Sequence, residues 1–188
     1  MVICGGIDLA ARPYKPTGVA VIRAISDFKF EILYVSEVYS NEEIVSSLIK
    51  FSPVAVAIDS PLALPRRGGL RKVDYELIKA GFRVLPPIWT SMIELTLRAQ
   101  KLVKVLENYG IEVVETHPRS SVKSSNCNSV EELLEVLGIS VFRRLTRHEA
   151  DSIVASLVCV YYKSNKALVF RASDGEIALL PRICQHSL

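Results

Sequence analysis

The sequence predicts an α/β fold built on a mixed sheet, and three observations carry that reading. Short apolar runs of strand length lie at residues 2 to 9, 54 to 58 and 111 to 114, and each ends in or leads directly to a carboxylate. Elsewhere, apolar residues recur at spacings of three and four behind a Ser or Thr placed three residues ahead of a Glu, the pattern of capped amphipathic helices. Two β-rich runs, 18 to 25 and 28 to 38, flank Ser26-Asp27 and read as an antiparallel meander that follows the first strand.

Taken in order, the first run holds Gly5 and Gly6, which suit a buried strand that something approaches closely, and it closes around Asp8. Polar and proline-bearing residues 12 to 17 turn the chain into the meander. Ser40 and Glu43 form a capping box ahead of Ile44, Val45, Leu48 and Ile49, predicting a helix over 41 to 50. Pro53 resets the chain, and the run 54 to 58, stopped by Asp59-Ser60-Pro61, has the continuous apolar character of a central parallel strand. Residues 60 to 90 are rich in Pro and Gly around one helical stretch near 71 to 80, which makes them a candidate active-site flap.

Ser91 and Glu94 form another capping box. Met92, Leu95, Ala99, Leu102, Leu106 and Tyr109 continue it as a long helix that ends at Gly110. The next strand, 111 to 114, leads into Glu115-Thr116-His117-Pro118, and the polar stretch 120 to 128 reads as a mobile loop. Ser129 with Glu132 caps a short helix ending at Gly138, and Thr146 with Glu149 caps a longer one running to about 164. Residues 167 to 171 and 176 to 180 around Asp174-Gly175 form a terminal hairpin.

A chain of 188 residues with 49% hydrophobic content suits one domain, 1 to 188, with one continuous core. The net charge of +3 is too small to imply a polyanionic partner, so only local clustering of basic residues bears on that question. Cys4, Cys127, Cys159 and Cys184 are widely spaced and signal neither a zinc site nor a disulfide framework, so isolated thiols are expected. With no leader-like or 18-residue apolar segment, the expected location is cytoplasmic and unanchored.

Three strands, a helix, a strand, helices, a strand and a helix is the ribonuclease H-like order, with strand order 3-2-1-4-5. If strand one pairs with both the meander and the strand ending at Asp59, then Asp8 and Asp59 emerge together at one carboxyl edge, about 4.8 Å between strands. Glu115 is expected beside Asp59 and further from Asp8. An Asp after an apolar run also starts turns, and an acid in a first helical turn also serves the macrodipole, so each residue alone has a structural reading. Three carboxylates at one edge repel one another and favour a hard divalent cation, Mg²⁺ or Mn²⁺. Asp151 falls in line with Ala155 and Val158 on an inward stripe of the last long helix, with His148 just before it.

Gly6-Ile7-Asp8-Leu9-Ala10, Ala57-Ile58-Asp59-Ser60-Pro61, Val114-Glu115-Thr116-His117-Pro118-Arg119 and His148-Glu149-Ala150-Asp151 together resemble the domain of unknown function 429 family, described as predicted nucleases of ribonuclease H-like fold. The resemblance extends to Arg71-Lys72-Val73-Asp74 and to Asp174-Gly175-Glu176. A weaker similarity, to Holliday-junction resolvases, rests on the first-strand Asp and the His-x-x-Asp; in those enzymes Glu usually stands where this chain has Asp59. The resemblance implies phosphodiester hydrolysis of DNA or RNA by a two-metal mechanism, in which Asp8 bridges two ions that Asp59 and Asp151 help to hold. Glu115 would complete a metal shell or orient water, and His148 would shuttle a proton.

His117 and Arg119 follow the strand edge and suit a phosphate contact; pairing of His117 with a backbone group is the equal alternative. Arg66, Arg67, Arg71, Lys72, Lys79 and Arg83, with Arg143, Arg144 and Arg147, cluster where a nucleic acid partner would need them or form a solvated face. Of the aromatics, Tyr75 and Trp89 could stack on a base, core packing being the expected use of Trp89. The oligomeric state stays open, with a homodimer among the options. Two rivals stand beside the nuclease: a catalytically silent protein that binds nucleic acid or a partner, and a phosphohydrolase acting on a small substrate, though no DxDxT motif or P-loop is present.

Overall fold

The computed structural model describes residues 2 to 26 and 29 to 185; Asp27 and Phe28, where the turn of the meander is expected, lie outside them. Seven strands are described: β1 Val2–Asp8, β2 Thr17–Ser26, β3 Lys29–Val38, β4 Ala55–Asp59, β5 Glu112–Thr116, β6 Leu168–Ala172 and β7 Gly175–Leu179. The helices are α1 Asn41–Ile49, α2 Lys72–Lys79, α3 Thr90–Asn108, α4 Pro118–Ser124, α5 Val130–Val136 and α6 Arg147–Lys163. One mixed sheet runs β3-β2-β1-β4-β5-β7-β6. The expected 3-2-1-4-5 order is present, and the terminal hairpin extends it, β7 pairing parallel to β5 through Glu115↔Ile177 and Thr116↔Ala178.

The pleat divides the side chains between two cores. Cys4, Ala55, Ala57, Val114 and Ala178 pack under α6 with α5 residues such as Leu133, whereas Ile7, Val56 and Ile58 pack under α1 and α3 with Leu48, Ala99 and Leu102. A smaller cluster, Val73, Leu77, Ile177 and Leu179, seats α2 on the hairpin. Alternation along each strand thus commits neighbouring residues to opposite faces.

Helix α6 lies closer to the sheet than side chains normally permit. A Cβ on Gly6 of β1 would fall 2.1 Å from the Ser152 carbonyl oxygen and 2.2 Å from the Ser156 amide nitrogen, and one on Gly18 of β2 would fall 1.9 Å from the His148 carbonyl oxygen. The helix presents Ser152, Ala155 and Ser156, all fully buried, and the two serine hydroxyls turn back to donate to the Glu149 and Ile153 carbonyls. Small residues on both partners allow backbone to meet backbone, and α6 is buried over most of its length as a result.

Four expectations are corrected. Residues 118 to 124 form α4 rather than a loop, with Pro118 at the start of the helix, where its missing N–H costs nothing. The box at Ser91 and Glu94 does not form: α3 starts at Thr90, and the Glu94 carboxylate instead accepts from Arg12 at 2.8 Å. Trp89 is 53% exposed rather than packed in the core. Cys127 and Cys184 form a disulfide, because the chain after β7 returns across α4, where the Ile183 and Cys184 amides donate to the Ser125 carbonyl. The boxes at Ser40 and at Thr146 form, and Ser129 caps α5. No helix among the described residues is long and apolar enough to cross a membrane.

The close seating of α6 predicts that Gly18→Ala destabilises the protein by about 1–3 kcal/mol, because the obstructing atoms are backbone and cannot rotate away. Thermal melting should fall by roughly 2–4 °C per kcal/mol. Gly69→Ala, whose Cβ would meet nothing nearer than 3.4 Å, should melt like the parent. Equal melting of the Gly18 and Gly69 variants would show that α6 does not depend on this approach.

Candidate active site

Asp8 and Asp59 end neighbouring parallel strands. Ile7 pairs with Ile58, so the next residues, Asp8 and Asp59, project together from the face that α6 covers. Because Gly6 and Gly18 draw in the first turns of α6, His148 reaches Asp8, its Nδ1 standing 2.6 Å from Asp8 Oδ2. Asp151, one turn along, is largely buried, with Arg147 Nε 3.5 Å from its Oδ2. Burial, and then the charge of Asp8, raise its pKa.

All three aspartates are held above the ordinary carboxylate range. For Asp8 burial outweighs the hydrogen bond and charge of His148. Asp59 is pushed up furthest, by removal from water and then by the charges of Asp8, Asp151 and Glu115, against the opposing charge of Arg119. No arginine or lysine makes a close ion pair with Asp8 or Asp59 among the described residues. The site is a concentration of negative charge that the protein itself leaves largely uncompensated.

Glu115 belongs elsewhere. It pairs in register with Ile58, while Asp59 pairs with Thr116, so Glu115 projects from the opposite face of the sheet. The expectation that it stands beside Asp59 as a metal ligand is off by one residue, and in a strand one residue changes the face. There, Arg71 donates to both Glu115 oxygens, at 2.8 and 2.6 Å, and also to Asp74 at 2.7 Å. The Leu62 amide adds a further bond to Glu115 at 2.9 Å, which fixes the loop just after Asp59. The bonds to Glu115 and Asp74 outweigh burial and keep the guanidinium charged. With both carboxylates and Arg71 itself at most 2% exposed, Arg71 borders the cleft over Asp8 and Asp59 but spends its donors as the neutralising centre of a buried triad.

Beside the triad, two distant sequence motifs meet. Asp74 accepts from the Arg71 amide at 2.8 Å, and Asp174, in the turn of the hairpin, accepts from the Lys72 and Val73 amides at 2.6 and 3.1 Å. A carboxylate from another part of the chain thus caps α2.

A cleft of about 830 Å³ opens over Asp8 and Asp59. His117, Arg119 and Arg147 line it, joined by Arg83 and by Lys123. His117 is mostly buried, 4.0 Å from Glu115, and burial lowers its pKa, favouring the neutral ring. Arg119 is exposed at the start of α4. Arg66 lies on the exposed loop and does not line the cleft. The expected basic cluster divides further: Lys72 donates to Ser173, Lys79 pairs with Glu76 and Arg143 with Glu149. Lys123 escapes a sequence reading because it sits on the helix taken for a loop; Pro118 directly after a strand is the signal that would have found it.

The donor chemistry fits a hard divalent cation, since three carboxylates share one neighbourhood and oppose one another's ionisation. Among the described residues, however, no group of three or more His, Cys, Asp or Glu side chains is already arranged to hold a metal ion.

No family model matches the chain, and no curated protein does. Solved structures do. RuvC of T. thermophilus in complex with a Holliday junction substrate is similar over 88% of this chain and 98% of that one, at 15% identity and a TM-score of 0.58. A second structure of Thermus thermophilus RuvC matches over 87% and 97%, with 15% identity and a TM-score of 0.57. The fold is ribonuclease H-like.

Two predictions separate the two groups of buried charge. Arg71→Ala leaves Glu115 and Asp74 buried without a partner and should cost about 3–5 kcal/mol in denaturant unfolding, whereas a loss under about 1 kcal/mol would mean the triad is not closed in solution. Asp59→Asn should act in the opposite sense and raise the melting temperature at neutral pH without added metal. A carboxyl whose folded pKa is raised stabilises fully below its unfolded pKa and loses that contribution as pH rises through the folded value. The advantage of Asn should therefore shrink toward pH 4 (roughly the unfolded value), and melting curves across pH 4 to 8 would expose a constant or inverted difference.

Proposed function

We propose that this protein is a divalent-metal-dependent nuclease whose site is Asp8, Asp59 and Asp151 with His148. The observation that carries the reading is the pair Asp8 and Asp59 on the floor of a cleft that bears arginine and lysine, with Asp151 close enough behind them for its charge to raise the proton affinity of Asp59. A protein can relieve a buried carboxylate with an arginine, as Arg71 does for Glu115; Arg147 does so for Asp151 at 3.5 Å, but among the described residues no arginine or lysine pairs with Asp8 or Asp59. The likeness to RuvC solved with a Holliday junction substrate supports nucleic acid as the ligand.

Mg²⁺ or Mn²⁺ held by these aspartates would supply Lewis acidity and charge neutralisation at a scissile phosphate. Arg119 and Arg147, beside the carboxylates, orient the phosphodiester and offset its charge. His148, with Nδ1 engaged by Asp8, carries its other ring nitrogen free to accept a proton from the attacking water or return one to the leaving oxygen. The cytoplasmic location, the two-ion stoichiometry and the choice between DNA and RNA belong to this proposal as expectations.

The test is cleavage of single-stranded, duplex and branched DNA and of RNA with Mg²⁺ or Mn²⁺. Asp8→Asn, Asp59→Asn and Asp151→Asn should each abolish cleavage while the protein stays folded, and His148→Ala should lose about 10²- to 10⁴-fold. A folded Asp151→Asn protein with full activity would remove that residue from the site. The short Asp8–His148 contact, which engages an oxygen a metal would need, favours one second reading, a silent nucleic-acid-binding protein of the same fold, as does the lack of a pre-arranged three-ligand group among the described residues. It would be recognised by nucleic acid binding with no cleavage and no Mn²⁺ uptake in calorimetric titration.

A further inference from the structure

The cleft over the aspartates has two chemically distinct linings. Arg83, Arg119 and Lys123 supply cations, while Phe82, Leu85 and Met92 supply an apolar surface from the connection between α2 and α3 and the start of α3. Part of this apolar surface is open: Leu85 is 57% exposed, while Phe82 and Met92 are half-buried, Phe82 against the cluster that seats α2. Phe82 is held in place, its ring edge-on to Phe170 at 5.9 Å with the Lys123 ammonium 5.6 Å from its centroid.

A phosphate has use for the cations and none for the apolar wall. The bases of a duplex are stacked and paired, so their faces cannot meet such a wall, whereas an unpaired base presents a free π-face. At about 830 Å³ the cleft has the size of pockets that enclose a small molecule, which suits a nucleotide or two and not a duplex. We propose that the cleft receives unpaired nucleotides: a nucleobase lies against Phe82, Leu85 and Met92 while the flanking phosphates meet Arg83, Arg119 and Lys123. The proposal rests on the nuclease reading and narrows its substrate to single-stranded or locally splayed nucleic acid.

Fluorescence anisotropy in Ca²⁺ with labelled twelve-nucleotide dT and U strands and a twelve-base-pair duplex tests it. The single strands should bind at least about fivefold more tightly than the duplex. Leu85→Ser should weaken the single strands at least about fivefold and leave the duplex unchanged, while Arg119→Gln should weaken every probe. Equal affinity for strand and duplex, or a Leu85→Ser protein within twofold of the parent on single strands, overturns the inference and leaves the nuclease reading standing. Binding of no probe overturns both.

A different observation carries a second inference. Cys4 on β1 and Cys159 on α6 are fully buried free thiols whose sulfurs lie 2.7 Å apart, closer than unbonded sulfurs normally approach and longer than the roughly 2.05 Å of a bond. We infer that these residues form a disulfide in the oxidised protein and so tie α6 to β1 on the face that carries Asp8. A small-molecule disulfide such as oxidised glutathione serves as oxidant: one cysteine thiolate attacks it and expels a thiol, and the second displaces the other thiol. Two protein thiols thereby lose two electrons and two protons, which leave on the two reagent thiols. Because both sulfurs are buried, exchange takes place before α6 docks or when it opens.

Protein folded in oxidised and reduced glutathione, then denatured and alkylated without reduction, should carry no alkyl group, and digestion should yield a peptide joining Cys4 to Cys159. The Cys4→Ala protein should gain one alkyl group, at Cys159. Alkylation of both Cys4 and Cys159 in the parent overturns the inference.

Discussion

Contact between the α6 backbone and the glycines of the first two strands is the constraint on which the rest of the site depends. Gly6 and Gly18 let the helix descend until carbonyl and amide groups occupy the space of a missing Cβ. This descent brings His148 to Asp8 and puts Asp151 within electrostatic range of Asp8 and Asp59. Glycine weakens a strand through lost packing and greater chain entropy. Here that cost is offset by the burial of a seventeen-residue helix along most of its length.

The two faces of the sheet treat buried charge in opposite ways. On one, Arg71 spreads its donors over Glu115 and Asp74, so three ionised groups are removed from water with their hydrogen-bonding capacity met. On the other, burial and mutual charge raise the proton affinity of Asp8, Asp59 and Asp151, relieved in part by His148 beside Asp8, by Arg147 beside Asp151 and by the more distant Arg119. The first arrangement is a joint: it fixes α2, the loop after Asp59 and, through Asp174, the hairpin. The second is a standing electrostatic deficit, which the cleft and its cations make accessible to an external charge.

These arrangements are connected through β4 and β5. Leu62, three residues past Asp59, donates to Glu115, so the triad behind the sheet sets the path of the chain that leaves the site in front of it. His117 and Arg119 leave β5 in the same way, the histidine near Glu115 and the arginine facing the cleft. A change at Arg71 therefore reaches the aspartates without touching them.

The strands β1 to β5 and the capped helices α1, α5 and α6 were determined by the sequence itself, because each follows from a local signal, an apolar run or a capping box; their order, and with it the adjacency of Asp8 and Asp59, followed from the succession of elements, whereas the pairing of the hairpin with β5 did not. The inward stripe at Asp151, Ala155 and Val158 was equally legible from helical spacing. The face on which Glu115 lies was not, since only the register Ile58↔Glu115 decides it and a shift of one residue reverses the answer. Burial of Arg71, pairing of Cys127 with Cys184, capping of α2 by Asp174 and exposure of Trp89 likewise had no local signature. Each depends on which distant segment arrives beside it, and a sequence records its own propensities but not the distance to a partner a hundred residues away.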